Sequence, residues 1–453
     1  MRRLLKYAAL IVMVLMMSGS AWAYNYTDHV TTAPNNKGDV LIYPYFLALD
    51  GGWETKLTVV NTDETNSVVA KVVIRSFKNS EELLDFFIYL TPADVWIGKM
   101  MVDPVTKRVV IDSTDDSVLG STSGITSTTI KWADTVGNAL HQVMFPLNCS
   151  DDGDYLGYIE IITAAIGDMS KSGQTAPVSI HSKPQLWAEY ELFKASKGIL
   201  KKPYDFTTKN ANVLAGWMQV QNSIIGLSAS LKATTLKDYD NDTVLGTAAE
   251  TRLGQYARNN LIEVEAALSK DDIAMPYVND KDLSLHIFTF PTKLTTTDKG
   301  CGLDKKKADG PYFQQYLASP NYYCVPYKVK IYDLKENTPT GGSPFSGGDT
   351  TIRVFCDEVN LLGTGAFYPE GWAHYYFENA EVFGLTVAQK SLGYLGTPVL
   401  PTYLYVGATG LSANYGAWTD DLVNCQYSVG TSTSGYLPDY QYTDFIDCQL
   451  MPT

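Results

Sequence analysis

The chain has 453 residues, 45% hydrophobic and 19% charged, proportions that predict a globular protein with a substantial core and exclude a disordered one. Acidic residues number 49 against 35 basic, a formal net charge of −14. Such a surface repels nucleic acid and anionic lipid, so nucleic-acid binding is excluded, and it favours divalent cations or simply solubility.

Arg2, Arg3 and Lys6 precede an apolar run from Ala8 to Met17, and Ala21 and Ala23 form a small-residue cleavage site. The pattern predicts a secretory signal peptide over residues 1–23, because the apolar run is too short to span a bilayer. Tyr24, not Cys, follows the expected cut, so no lipid anchor is expected. Removing the three cations from the 35 basic residues leaves 32 against 49 acidic, and the mature charge becomes −17. No transmembrane segment is expected after cleavage. Export to the cell surface or the extracellular space follows, with the periplasm as the alternative.

The strand signal is strong from Gly38 to Ile111. Val40–Phe46, Lys56–Asn61, Val68–Phe77 and Leu84–Leu90 are short β-branched or aromatic runs punctuated by Asn, Asp, Gly and Pro. Ala70, Val72 and Ile74 alternate with Lys71, Val73 and Arg75, which predicts one buried and one wetter face. Trp53 and Trp96 are expected in the core or at its edge. Residues 112–135 read as a long surface loop, and a strand follows at Tyr155–Thr163. The spacing predicts an antiparallel sandwich over residues 24–165.

Residues 166–453 are expected to form a larger β-rich domain with two helical insertions. Lys183–Lys202 carries Leu186, Trp187, Tyr190, Leu192 and Phe193, and Ala248–Lys270 places Leu253, Tyr256, Leu261, Val264 and Leu268 at helical intervals. Further strands are expected at Ala215–Leu231, Leu285–Pro291, Tyr327–Leu334, Thr351–Val359 and Trp372–Glu378. Thr338–Thr350 reads as a loop. The fold class is therefore mainly β, built of antiparallel β-sandwich domains with two helical insertions.

Six cysteines follow the expected cut, Cys149, Cys301, Cys324, Cys356, Cys425 and Cys448. An even number in an exported chain predicts disulfides, although about 15 pairings are open to six residues. Cys425 with Cys448 and Cys324 with Cys356 are preferred from their local settings, which leaves Cys149 for Cys301. A zinc site is the rival reading, but no C-x-x-C pair occurs and the histidines are scattered.

Asp238, Asp240 and Asp242 place carboxylates at alternate positions, as a calcium loop does. Thr243 stands where a calcium-binding hand needs glycine, and Glu250 arrives one residue late, so a solvated acidic turn is the plainer reading. Ser150–Asp154 is a second acidic turn, and Asp115-Asp116 and Asp420-Asp421 are weaker. Ca2+ is the one cofactor these residues suggest. Glu370, Glu378 and Glu381 lie near Trp372 and several tyrosines, an arrangement compatible with a sugar cleft. No G-x-S-x-G, H-E-x-x-H or phosphate loop occurs, and His29, His141, His181, His286 and His374 lack metal spacing. Nothing marks a catalytic centre, and the chain is read as a non-enzyme.

Tyrosine is in excess, with 30 residues. Tyr312-Tyr316, Tyr322-Tyr323, Tyr375-Tyr376 and Tyr436-Tyr440-Tyr442 are either strand-edge fillers or stacking platforms for a glycan ligand. Tyr436, Tyr440 and Tyr442 are the best platform because they lie in a Gly/Pro-rich segment.

GDVLIYPYF (38–46), GWETKLTVVNT (52–62), LLDFFIYLTPADVW (83–96), GYIEI (157–161), FTFPTK (288–293), YKVKIYDLKEN (327–337), FCDEVN (355–360) and GWAHYYFE (371–378) occur in this order. Together they resemble a family of secreted bacterial β-rich proteins of cell-surface or surface-layer-like character. The resemblance covers most of the chain from Gly38 to Glu378, implies an envelope or extracellular role, and brings no catalytic residues. Three functions result: a non-enzymatic surface structural protein working by self-association or contact with envelope components, a carbohydrate-binding adhesin using exposed tyrosines, or a secreted glycan hydrolase.

Overall fold

The computed structural model describes residues 30–77, 80, 82–105, 107–118, 140–143, 155–168, 182–195, 205–207, 212–224, 226–239, 264–270, 272–279, 283–292, 317–319, 322–323, 325–335, 352–355, 357–364, 367–377, 397–406, 429–430 and 440–443. In chain order these contain β1 (Thr31–Thr32), β2 (Val40–Leu47), β3 (Trp53–Asn61), β4 (Ser67–Ser76), β5 (Glu82–Leu90), β6 (Val95–Val102), β7 (Val109–Ser113), β8 (Leu140–Val143) and β9 (Leu156–Asp168). Helix α1 (Lys183–Ala195), β10 (Asp205–Thr207), β11 (Leu214–Asn222), β12 (Leu227–Lys232) and β13 (Thr234–Lys237) follow. Then come β14 (Ser269–Lys270), β15 (Asp272–Val278), β16 (Leu283–Thr289), β17 (Leu317–Ser319), β18 (Tyr322–Tyr323), β19 (Val325–Asp333) and β20 (Ile352–Phe355). The last are β21 (Val359–Gly363), β22 (Glu370–Phe377), β23 (Thr397–Pro398), β24 (Leu400–Val406), β25 (Val429–Gly430) and β26 (Tyr440–Thr443).

Four sheets stack face to face. The first runs β12-β11-β3-β6-β7-β8, and the second β1-β13-β2-β9-β4-β5 with β10 beside β9. The third is β21-β16-β24 and the fourth β15-β22-β19-β20-β26-β25, while β14–β23 and β17–β18 are short pairs. Every pairing among the described strands is antiparallel except β20 with β26. The mainly β, antiparallel class expected from the sequence is the observed one.

The burial patterns follow from the stacking. β3 borders solvent on one side, so Trp53, Leu57 and Val59 are buried while Glu54, Lys56 and Thr58 are only half-covered. β2 lies between two sheets, and its apolar run VLIYPYFL is buried throughout. The same holds for β4. This corrects the expectation that Lys71, Val73 and Arg75 line a wetter face: all three are enclosed. Part of that face meets α1, whose Leu186 and Tyr190 pack on Val69, Tyr89, Ala164 and Ala165. The charges are kept by pairing. Lys71 meets Asp85, and Arg75 Nε donates to Glu160 Oε2 at 3.0 Å.

The third sheet is buried on both faces. Ile287, Val359, Leu400 and Leu404 share one apolar cluster with Ile42, Ile74 and Ile159 of the second sheet. Phe288, Phe290 and Leu362 pack with Tyr327, Ile331, Tyr375 and Phe377 of the fourth. Polar contacts tie the second and third layers together. Pro44 sits where the β2–β9 register shifts between Tyr43 and Phe46, a position that tolerates a missing N–H. Its carbonyl accepts the Thr289 hydroxyl. The Phe77 carbonyl accepts the backbone N–H groups of Glu358 and Val359 at 2.7 and 3.0 Å.

Several expected elements differ in extent. Residue 165 falls inside β9, and β11 and β13 from beyond it complete the first two sheets, beside β3 and β2 respectively. Of the helix expected over 183–202, Lys183–Ala195 is α1 and 196–202 lie outside the described residues. Of that expected over 248–270, residues 264–268 are helical, Ser269–Lys270 form β14, and 248–263 lie outside the described residues. The single strand expected over Thr351–Val359 is two: β20 joins the fourth sheet and β21 the third. The surface loop expected from residue 112 begins inside β7, and Ser117 and Val118 are buried. Trp53 and Trp96 are both in the core. Among the described residues no helix is long and apolar enough to cross a membrane.

Candidate functional site

The outer face of the fourth sheet carries a row of rings. Along β22 the buried residues Ala373, Tyr375 and Phe377 point into the core, and the pleat turns Trp372, His374 and Tyr376 outward, each half-covered. Pairing builds a grid across β15, β22 and β19: Asp272, Tyr376 and Lys328 in one row, Ala274, His374 and Lys330 in the next, and Pro276, Trp372 and Tyr332 in the third.

Tyr332 and Trp372 stack with centroids 4.3 Å apart and planes 13° from parallel. His374 follows 5.7 Å from Trp372, and Tyr376 lies 4.0 Å from His374. Tyr332 covers one face of the Trp372 ring, so the other face is turned towards β15, where Ala274 and Pro276 are short and exposed. Among the described strands β15 is the edge of its sheet, and Ala274 and Pro276 are exposed there. Lys330 Nζ stands 5.2 Å from the Tyr376 ring centroid, within cation–π range. His374 Nε2 lies 2.7 Å from Asp272 Oδ2.

The row is held from beneath. Tyr277 of β15 donates its hydroxyl to the Tyr332 carbonyl of β19 at 2.8 Å, passing under β22 at Gly371. A Cβ at Gly371 would sit 1.9 Å from that carbonyl oxygen and 2.7 Å from the Tyr277 hydroxyl, so only glycine fits. Burial pushes the Tyr277 phenol up, which keeps it a donor. His286, fully enclosed, lies 2.8 Å by Nε2 from the Pro276 carbonyl and 2.7 Å by Nδ1 from the Tyr375 hydroxyl. A carbonyl only accepts, so Nε2 carries the proton and Nδ1 accepts from Tyr375. Burial lowers the His286 pKa to about 4, and the ring is neutral. It thus pins β15 and β22 from the third sheet.

The sequence-derived sites are distributed unevenly over this architecture. Trp372 and Tyr376 belong to the row, whereas Tyr375 is core. Glu370 is exposed at the start of β22, while Glu378 and Glu381 lie outside the described residues. Tyr440 and Tyr442 are in β26 of the same sheet, opposite Ile352 and Val354, and Tyr436 lies outside the described residues. Asp238 ends the strand run after β13. Its carboxylate accepts from Asn212 Nδ2 at 2.9 Å and pairs with Lys237 at 3.3 Å. Asp240 and Asp242 are outside the described residues, as are Ser150–Asp154, Asp420-Asp421 and all six cysteines. Asp115 and Asp116 are engaged by Lys183 at the start of α1. Among the described residues no group of three metal-ligating side chains occurs.

Sequence reading missed Tyr332, Lys330, Asp272 and His374 as partners of Trp372. The period-two alternation of GWAHYYF marks the outward ring positions of β22, but the cross-strand neighbours depend on register. Comparison with protein-family models, with curated proteins and with solved structures finds no match to this chain.

Proposed function

We propose that the chain is an exported, non-catalytic glycan-binding protein whose ligand lies on the aromatic row of the fourth sheet, at the cell surface or outside the cell. The observation that carries this reading is the row Tyr332, Trp372, His374 and Tyr376 on an outer face. Aromatic residues on the inner face fill a core. Among the described residues no further sheet packs on this outer face, and its half-covered rings present stiff amphipathic surface at low entropic cost. Sugar rings stack on such surfaces, and the Asp272 carboxylate and His374 imidazole beside the rings can take hydroxyl hydrogen bonds.

Assembly through strand edges, the alternative envelope role, is less favoured at this sheet. Its edge strand β15 carries Pro276 in mid-strand and an exposed Asp272, features that oppose pairing with another strand.

The test is isothermal titration and intrinsic fluorescence against a panel of soluble polysaccharides. Saturable binding that quenches tryptophan emission without releasing sugar, and that disappears in Trp372→Ala while the urea midpoint is kept, is expected. Binding unchanged in Trp372→Ala, or release of reducing ends, would overturn the reading.

A further inference from the structure

We infer that the ligand of the aromatic row is an acidic polysaccharide, a uronate-bearing chain held along its length; this rests on the glycan-binding reading above. Within the nine positions around the rings basic residues outnumber acidic ones, the reverse of the whole chain, and Glu370, exposed beside Trp372 on the same side of β22, is the acid that borders them. Over the whole chain acidic residues outnumber basic ones, 49 to 35. On the nine-position grid the only acid is Asp272, and it is bonded to His374. Lys328 and Lys330 stand in the same grid, on the β19 side of the rings.

Lys330 is exposed, yet its ammonium is placed over the Tyr376 ring and not simply extended into water. An ammonium held beside stacking rings is what a sugar carboxylate needs: the pyranose contacts the ring and the carboxylate meets the cation. A neutral glycan would make no use of it. An acidic polymer would be repelled by most of this surface and would gain affinity only where the sign reverses, which makes the local reversal a selector of both ligand and place.

The row is also open. Ala274 and Pro276 are short and exposed along one flank, and Glu370 is exposed at the start of β22. Among the described residues none walls off the Glu370 end, so a polymer can run on past the grid there. A closed pocket, by contrast, would select a terminal sugar.

The deciding experiment titrates the full mature protein with polygalacturonate and, separately, with a neutral β-glucan, at low and moderate salt. Wild type, Trp372→Ala and Lys330→Gln are compared, each checked for an unchanged urea midpoint. The expected result is polygalacturonate binding that weakens with salt, vanishes in Trp372→Ala and falls about tenfold in Lys330→Gln, the size of one charge-assisted contact. Binding of the neutral glucan as tight as or tighter than the uronate, or a loss under threefold in Lys330→Gln, overturns the acidic class and leaves the glycan reading standing. Uronate binding that survives Trp372→Ala overturns the assignment to this face. No binding to any polysaccharide removes both.

Discussion

The Tyr277 hydroxyl donates to the Tyr332 carbonyl at 2.8 Å beneath Gly371, so that a core phenol from the edge strand fixes the backbone that carries one half of the Tyr332–Trp372 stack. Gly371→Ala would drive a methyl group into both partners. The expected result is a loss of about 1–3 kcal/mol, the range for overpacking a tight site. Urea unfolding measures it, and the near-ultraviolet circular dichroism of the stacked pair should weaken in parallel. An unchanged midpoint would show that β22 and β19 do not approach this closely.

Acid should weaken the fold through His286. Its pKa is about 4 in the buried site and 6.5 when free. Between those values the unfolded chain takes up a proton that the fold refuses. The stabilisation is therefore complete above about pH 6.5 and is lost as pH falls towards 4, by about 3 kcal/mol over the full window. Denaturant midpoints at pH 7, 5.5 and 4 should fall in that order. His286→Gln should lie lower at pH 7 and decline less steeply. A parallel decline in the two proteins would exclude His286 as the cause.

The Arg75–Glu160 pair tests how the doubly covered second sheet keeps its charges. Arg75→Met leaves the Glu160 carboxylate enclosed without its guanidinium, and a loss of about 3–5 kcal/mol is expected. The double variant Arg75→Met, Glu160→Leu should recover part of that loss, because the Glu160 charge is removed together with its partner, while the buried Glu358 nearby keeps its own. Equal destabilisation in the single and double variants, measured by urea unfolding, would refute the pairing.

Lys183 anchors α1 through Asp94 Oδ2 at 3.1 Å and Asp115 Oδ1 at 3.3 Å. Solvent reaches Asp115 and Asp116, so Lys183→Met should cost only about 0.5–1 kcal/mol. Its effect should be local. Amide exchange is expected to quicken in α1 and to stay slow in β4; quickening across both would mean that helix and sheet open as one unit.

Strand existence was legible where apolar runs are long. β2, β4, β9 and β19 were all anticipated from β-branched and aromatic residues between turn formers. β15 was not, because DIAMPYV contains a proline and an acid, features of an edge strand that weaken the signal. Lys71 and Arg75 were read as solvent-facing because alternation with apolar residues normally means one wet face. The rule fails in β4 because both of its faces are covered, and the charges persist by finding partners across strands.

The sequence by itself determined the β class, the short antiparallel strands and the ring-rich alternation of β22, since these depend on side-chain period and local turn chemistry. Only the tertiary structure decided that four sheets stack, and hence which strands are buried on both faces. It also decided that Asp272, Lys330 and Tyr332 meet Trp372 and His374 in one grid. Those neighbours come from strands between about 40 and 100 residues apart in the chain, and a shift of one residue in either register would turn every one of them to the other face.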